Sequence, residues 1–229
     1  MLFKLLLSAA LAVAATVAQT TGSIQGTALD ASGKPSAETL VRALRLSPTR
    51  WTSPSVVTST AGAFKIPALV PGDYVLCATA DPVKLLVDPC FWLDPAREPI
   101  TVAAGQAVTT QKVQLEAGRK ITVRVKDPEQ LLKTAQPLPT AAGALRRTLK
   151  VELVGPPGAI HREIGVARTD PGGVQVHEML VPITGATRLR VHAQAMVLRD
   201  SLQRAVASGR SDQPISGQGT DFEFQIGAN

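Results

Sequence analysis

Apolar and polar residues alternate in short runs along most of this chain, and turns bearing glycine or proline interrupt them at intervals of roughly 8 to 12 residues. Alternation with a period of two marks strands that bury one face. Such runs predict strands over Gly22–Asp30, Thr39–Leu46, Val56–Ser59, Asp73–Thr79, Pro99–Val102 and Ala107–Leu115. A second series follows at Lys120–Lys126, Thr148–Val154, Glu163–Ala167, Val174–Met179, Thr187–Gln194 and Thr220–Ile226. Asp127 as a helix cap, Pro128 at the first helical position and Glu129 behind it predict one short helix near 128–134. Ser47–Ser55, Gln136–Gly143 and Ala205–Gly219 read as loops.

The segment Gly62–Ala78 reads as a strand, a Pro71-Gly72 turn and a second strand. A looser copy stands at Gly172–Val191, where Val174 replaces the aromatic Phe64 and the turn is stretched over Pro182–Gly185. The duplication predicts a tandem of small β-modules, and 229 residues suit two of about 100 each. The expected division is 19–117 and 118–229, joined at Glu116–Arg119, a junction too short for free movement. The fold class expected is all-β, with two tandem Greek-key sandwiches.

Gly22–Asp30 followed by Gly62, Phe64, Ile66, Leu69, Pro71, Gly72 and Tyr74, in that order, resembles the carboxypeptidase regulatory-like domains. The resemblance covers about residues 22–116. It implies transthyretin-like, Ig-like β-sandwiches in which Phe64 and Tyr74 bury their rings from either side. It also implies that the two strands flanking the turn belong to opposite sheets.

The N-terminus carries a separate signal. Lys4 precedes an uncharged apolar run, Leu5–Ala15, and small residues lead to a cleavage position before Gln19. These are the parts of a secretory signal peptide over 1–18. The run of about 11 residues is too short for a spanning helix, which needs roughly 20. An exported protein is expected, periplasmic or extracellular and associated with the outer membrane, with no transmembrane segment in the mature chain. In an oxidising compartment Cys77 and Cys90 read as a disulfide closing a loop of about 14 residues, stabilising by roughly 3 kcal/mol. Two free thiols or a metal site are the alternatives, and no nearby histidine supports the second.

The formal charge of +6 is uneven: residues 19–118 hold 8 basic and 8 acidic side chains, and residues 119–229 hold 15 and 10. Lys120, Arg124 and Lys126 share one strand face, and Arg188 and Arg190 another. An anionic glycan or membrane surface fits this charge better than nucleic acid in an exported chain, and solubility alone is the plainer reading. For a ligand the candidates are Trp51 with Arg50, and Trp92, all in loops of the first module. For a metal they are His177, Met179 and His192, whose imidazole and thioether donors suit copper if the strands form a hairpin. The implied sheet arrangement argues against that hairpin.

Catalytic signatures are missing: there is no Gly-x-Ser-x-Gly elbow, no His-Glu-x-x-His and no glycine-rich phosphate loop. The chain therefore reads as a non-catalytic exported protein, without a cofactor, that binds or assembles at the bacterial cell envelope with a protein or glycan partner. A carbohydrate- or polymer-binding accessory module is the alternative, and a periplasmic copper-binding protein a further one.

Overall fold

The computed structural model describes residues 20–92, 97–133, 138–140, 143–145, 147–157, 161–184, 187–215 and 219–228. The signal peptide expected over 1–18 lies outside them. Strands dominate and pair into two tandem sandwiches. In the first, one sheet has the order β5 (Ala63–Leu69), β1 (Gly22–Leu29), β9 (Ala107–Gln114). The facing sheet has the order β3 (Trp51–Thr52), β2 (Leu40–Ser47), β6 (Gly72–Thr79), β8 (Ile100–Val102), and β4 (Val56–Val57) also pairs with β2.

The second sandwich repeats this plan. Its first sheet runs β15 (Val166–Asp170), β16 (Val174–Pro182), β10 (Glu116–Lys126), β20 (Asp221–Gly227), β18 (Val197–Arg199). Its second runs β14 (Arg162–Glu163), β13 (Thr148–Val154), β17 (Arg188–Gln194), β19 (Arg210–Pro214). In each sandwich the opening strand pairs antiparallel with one neighbour and parallel with the closing strand: β1 with β5 and β9, β10 with β16 and β20. The opposing sheets correspond strand for strand, β2-β6-β8 with β13-β17-β19. The weak sequence echo at 172–191 therefore marks a repetition of the central strand order, to which the second sandwich adds β15 and β18 at the sheet edges. The short strand β7 (Leu86–Val87) pairs with the start of β10, and β11 (Leu138–Thr140) and β12 (Gly143–Leu145) form a separate hairpin.

Each sandwich has its own core. Ile24, Phe64, Ile66, Leu69, Tyr74 and Leu76 lead the first, and Ile121, Leu153, Leu189, Leu198, Phe224 and Ile226 the second. Phe64 and Tyr74 enter the first core from opposite sheets, and the Tyr74 hydroxyl donates to the Val70 carbonyl. Burying a phenol ring in this way requires a partner for its O–H. Gly62 adopts φ +71° at the turn into β5, where a Cβ would lie 2.6 Å from the Ala28 carbonyl oxygen. The close approach excludes any residue with a Cβ unless backbone is displaced, and the positive φ favours glycine as well.

Several expectations are corrected: β3 lies in the expected loop 47–55, and the β11–β12 hairpin begins in the expected loop 136–143. Residues 128–133 form consecutive turns and no helix, and residue 134 lies outside the described residues. Asp127 does cap the segment, accepting from the Leu131 and Leu132 amides at 2.8 and 3.0 Å, but Gln130 sits at φ +53° and cannot propagate a helix. Asp127 is buried, so Asp127→Ala is expected to cost about 1–3 kcal/mol in chemical denaturation, because two amides lose their acceptor. The predicted loop 205–219 contains strand β19, whose Ser211 is buried and is followed by buried Ile215. Its small polar residues hide the alternation that pairs it with β17. The junction Glu116–Arg119 is the beginning of strand β10 rather than a linker.

Candidate functional site

The two sandwiches meet at a joint with two points of attachment. The first is β10 itself. Its opening residues Glu116 and Ala117 pair with Val87 and Leu86 of the first sandwich, and from Gly118 onward the same strand pairs with β16 of the second. The Gly118 amide donates to the Leu85 carbonyl at 2.7 Å, and the Ile183 amide donates to the Ala117 carbonyl at 3.0 Å. Within the second sandwich, Arg119 donates to the Ile215 carbonyl at 2.8 Å. A strand hydrogen-bonded on both sides of the crossing cannot act as a swivel. At this crossing a Cβ on Gly118 would stand 2.5 Å from Val87 Cγ2 and 3.0 Å from Leu180 Cδ1, so only glycine lets the chains approach this closely.

The second attachment is the loop closed by the Cys77–Cys90 disulfide, whose Cα atoms are 5.3 Å apart. Asp88 folds this loop. One carboxylate oxygen accepts from the Cys90 amide at 2.8 Å and the Ala78 amide at 3.1 Å, and the other takes Arg42 at 3.1 Å. The loop then presents Phe91 and Trp92, edge to face at 4.8 Å, to the core of the second sandwich. Arg162 of β14 closes the contact from the far side. Its guanidinium lies 4.6 Å from the Phe91 ring centre, and its Nε donates to the Phe91 carbonyl. The disulfide thus ties β6 to a loop that is anchored in the neighbouring sandwich.

The other residues singled out in the sequence are placed as follows. Cys77 and Cys90 are joined, which removes the free-thiol alternative; with Asp88 they also have the spacing of a metal site, but bonded sulfurs have no thiolate to offer. Trp92 is a packing residue of the joint, its Nε1 buried without a partner among the described residues. Trp51 lies exposed on edge strand β3, opposite Arg45 and on the same side of the sheet as Tyr74, and Arg50 is exposed beside it.

His177 and Met179 belong to β16 and His192 to β17, in opposite sheets, so the copper set is not brought together. His177 is also no surface residue. It is buried because it stands opposite core residue Val123 on the inner face of its sheet, and its Nδ1 donates to the Ile164 carbonyl at 2.8 Å.

Lys120, Arg124 and Lys126 do share a face of β10, but each has a carboxylate: Glu178 at 2.7 Å, Asp221 at 2.9 Å and Glu223 at 3.3 Å. Arg190 is paired with Asp212 at 2.7 Å, and Arg188 donates to the Asp212 carbonyl, both in the other sheet. These five cations therefore each have a local acceptor, and they lie in two opposed sheets rather than in one patch. Lys120, with Arg168 at 2.7 Å, holds the Glu178 carboxyl below the usual glutamate range. A depressed folded value means that this stabilisation is complete above the ordinary glutamate range and is lost as pH falls through the depressed value. Glu178→Gln should therefore lower the melting temperature at neutral pH, and the difference from the unaltered protein should vanish in strong acid.

Sequence reasoning did not find Gly118, Phe91, Asp88 or Arg162. The Asp88-Pro89-Cys90 run carries a turn signal that points to Asp88. Nothing in the sequence links Arg162 to Phe91, 71 positions away.

No family model matches the chain, and no curated protein does. Several solved structures show a limited likeness. The major pilin subunit of Bacillus cereus is 12% identical, with 90% of this chain and 85% of that one covered and a TM-score of 0.31. The fimbrial anchor protein from Porphyromonas gingivalis is 12% identical, with 90% of each chain covered and a TM-score of 0.33. The Bacillus anthracis TIE protein is 15% identical over 90% of this chain, at a TM-score of 0.31, and this chain spans only 34% of its length. At such scores no statement about function follows from them. The β-sandwich class stands on the strand pairing described above, and the resemblance to carboxypeptidase regulatory-like domains has no matching family model behind it.

Proposed function

We propose that this chain is a non-catalytic exported protein that binds or assembles at the cell envelope as one rigid element, built from modules at 19–117 and 118–229. The observation that carries the proposal is the two-point joint. A strand shared by both sandwiches and a disulfide-closed loop docked across them suit a part that holds partners at fixed spacing. Among the described residues no histidine is hydrogen-bonded to a carboxylate or hydroxyl, and no helix is long and apolar enough to cross a membrane. Expression of the full chain with cell fractionation and cross-linking tests the proposal. The expected result is an envelope-fraction protein beginning at Gln19 and cross-linked to an envelope protein or glycan. An uncleaved cytoplasmic protein would overturn it.

Binding of a carbohydrate or polymer is a second reading, favoured by the 43% exposure of Trp51 on an edge strand. Aromatic faces stack on sugar rings, so Trp51→Ala should abolish retention on an envelope polysaccharide column while leaving the melting temperature unchanged.

A further inference from the structure

A cavity of about 370 Å³ opens at the joint, walled by Arg42, Leu44, Thr52, the Cys77–Cys90 bridge, Asp88, Phe91 and Arg162. The register of the sheet explains the wall on one side. Thr52, Leu44 and Val75 stand opposite one another and face outward from the first sandwich. Trp51, one residue away, shares the other side of the strand with Arg45, so this cavity is separate from the Trp51 surface.

The charges around the cavity do not cancel. Two guanidiniums, Arg42 and Arg162, face one carboxylate, Asp88, which leaves a net charge of +1 by simple count. Both Asp88 oxygens are engaged, one by the Ala78 and Cys90 amides and one by Arg42. Arg162 spends its Nε on the Phe91 carbonyl, and its terminal nitrogens have no hydrogen-bond partner among the described residues. Burial draws the Arg162 guanidinium below the ordinary arginine range, with Asp88 opposing that shift and Arg42 reinforcing it. A partly desolvated cation with unused donors, next to Leu44, a disulfide and the Phe91 ring, matches an anion that carries an apolar group.

We infer that this cavity binds a compact organic carboxylate, its charged end on Arg162 and Arg42 and its apolar end against Leu44, Phe91 and the disulfide. The net charge selects a monoanion over a dianion. The apolar walls select an organic acid over an inorganic ion. The same chemistry is offered by a free aryl acid and by the C-terminal carboxylate of a peptide ending in an aromatic residue. This site is independent of the export and assembly proposed above, and either can fail alone.

The test uses the oxidised mature chain, titrated with 3-phenylpropionate, with neutral 3-phenylpropionamide, and with a short peptide ending in phenylalanine as free acid or as amide. Binding is read by calorimetry and by the amide resonances of Ala78 and Cys90. One acid is expected to bind at least about tenfold more tightly than its amide, with those two resonances shifting. Whichever acid binds more tightly identifies the source. Arg162→Gln should reduce that affinity by about tenfold or more, and Arg188→Gln should leave it unchanged. Equal binding of acid and amide, or no shift at Ala78 and Cys90 with any probe, would overturn the inference. Should Arg162→Gln fail to fold, the acid–amide comparison on the unaltered chain still decides.

Discussion

Replacing Cys77 and Cys90 together by serine is expected to destabilise the protein by about 3 kcal/mol, and to loosen the second sandwich from the first. The chain-entropy effect alone supplies that figure for a loop of this size. The structure adds a local consequence. Cys77 and Cys90 form a small apolar cluster with Val75 on the outer face of the first sandwich, backed by Leu44. Freed from this cluster, the loop would hold Phe91 and Trp92 in place only through Asp88 and Arg162. For a chain of this length each kcal/mol moves the melting temperature by about 2–4 °C, so a fall of roughly 6–12 °C is predicted. Scanning calorimetry of the double variant against the oxidised protein checks it. A fall of less than about 2 °C would mean that the loop is held without its bridge.

Substituting Gly118 is the second large effect, and it acts on the other attachment. The branched side chain of Gly118→Val would press on Val87, Leu180 and the Leu85 carbonyl, 3.1 Å from the Cβ position. Gly118 has no positive φ, so the substitution probes space and not backbone strain. Overpacking of this kind costs about 1–3 kcal/mol. Relief by moving the strand would break the bond from the Gly118 amide to Leu85, worth about 1 kcal/mol more. The expected outcome is a loss of about 2–4 kcal/mol in denaturant unfolding, accompanied by separate transitions for the two sandwiches. A single unshifted transition would contradict the close approach.

These two sites differ in how far they could be read from the chain. The disulfide was legible because two cysteines in an exported sequence have few other fates, and most strands were legible because Val, Ile and Leu alternate with polar residues. The strand β19 was hidden because Arg210–Pro214 shows no alternation and lies in a polar stretch. The helix expected after Asp127 followed from correct capping chemistry, but Gln130 at φ +53° turns the chain before a second helical turn can form. The separation of His177 from His192 followed from the implied placement of the strands in opposite sheets. The burial of His177 did not, because it depends on the register that sets 175, 177 and 179, rather than 174 and 176, opposite Val125, Val123 and Ile121 of β10. The joint was the least legible part. Gly118 resembles any glycine in a junction, and the contact of Arg162 with Phe91 exists only once both sandwiches have formed.

The topology also changes how the sequence repeat is understood. Of the two residues aligned with Phe64 and Tyr74 in the second half, Leu189 is fully buried in the same layer as Val191, whereas Val174 is half-buried and lies outside the core, on the face of β16 away from the residues that pair with Ile121 and Val123. The strand order is thus kept without a core residue at position 174.

The central claim is that the two sandwiches move as one body. Backbone ¹⁵N relaxation on the oxidised mature chain measures the rotational correlation time of each sandwich separately. One common correlation time, appropriate to the full chain, is predicted; two different and shorter values with the disulfide intact would contradict the rigid joint.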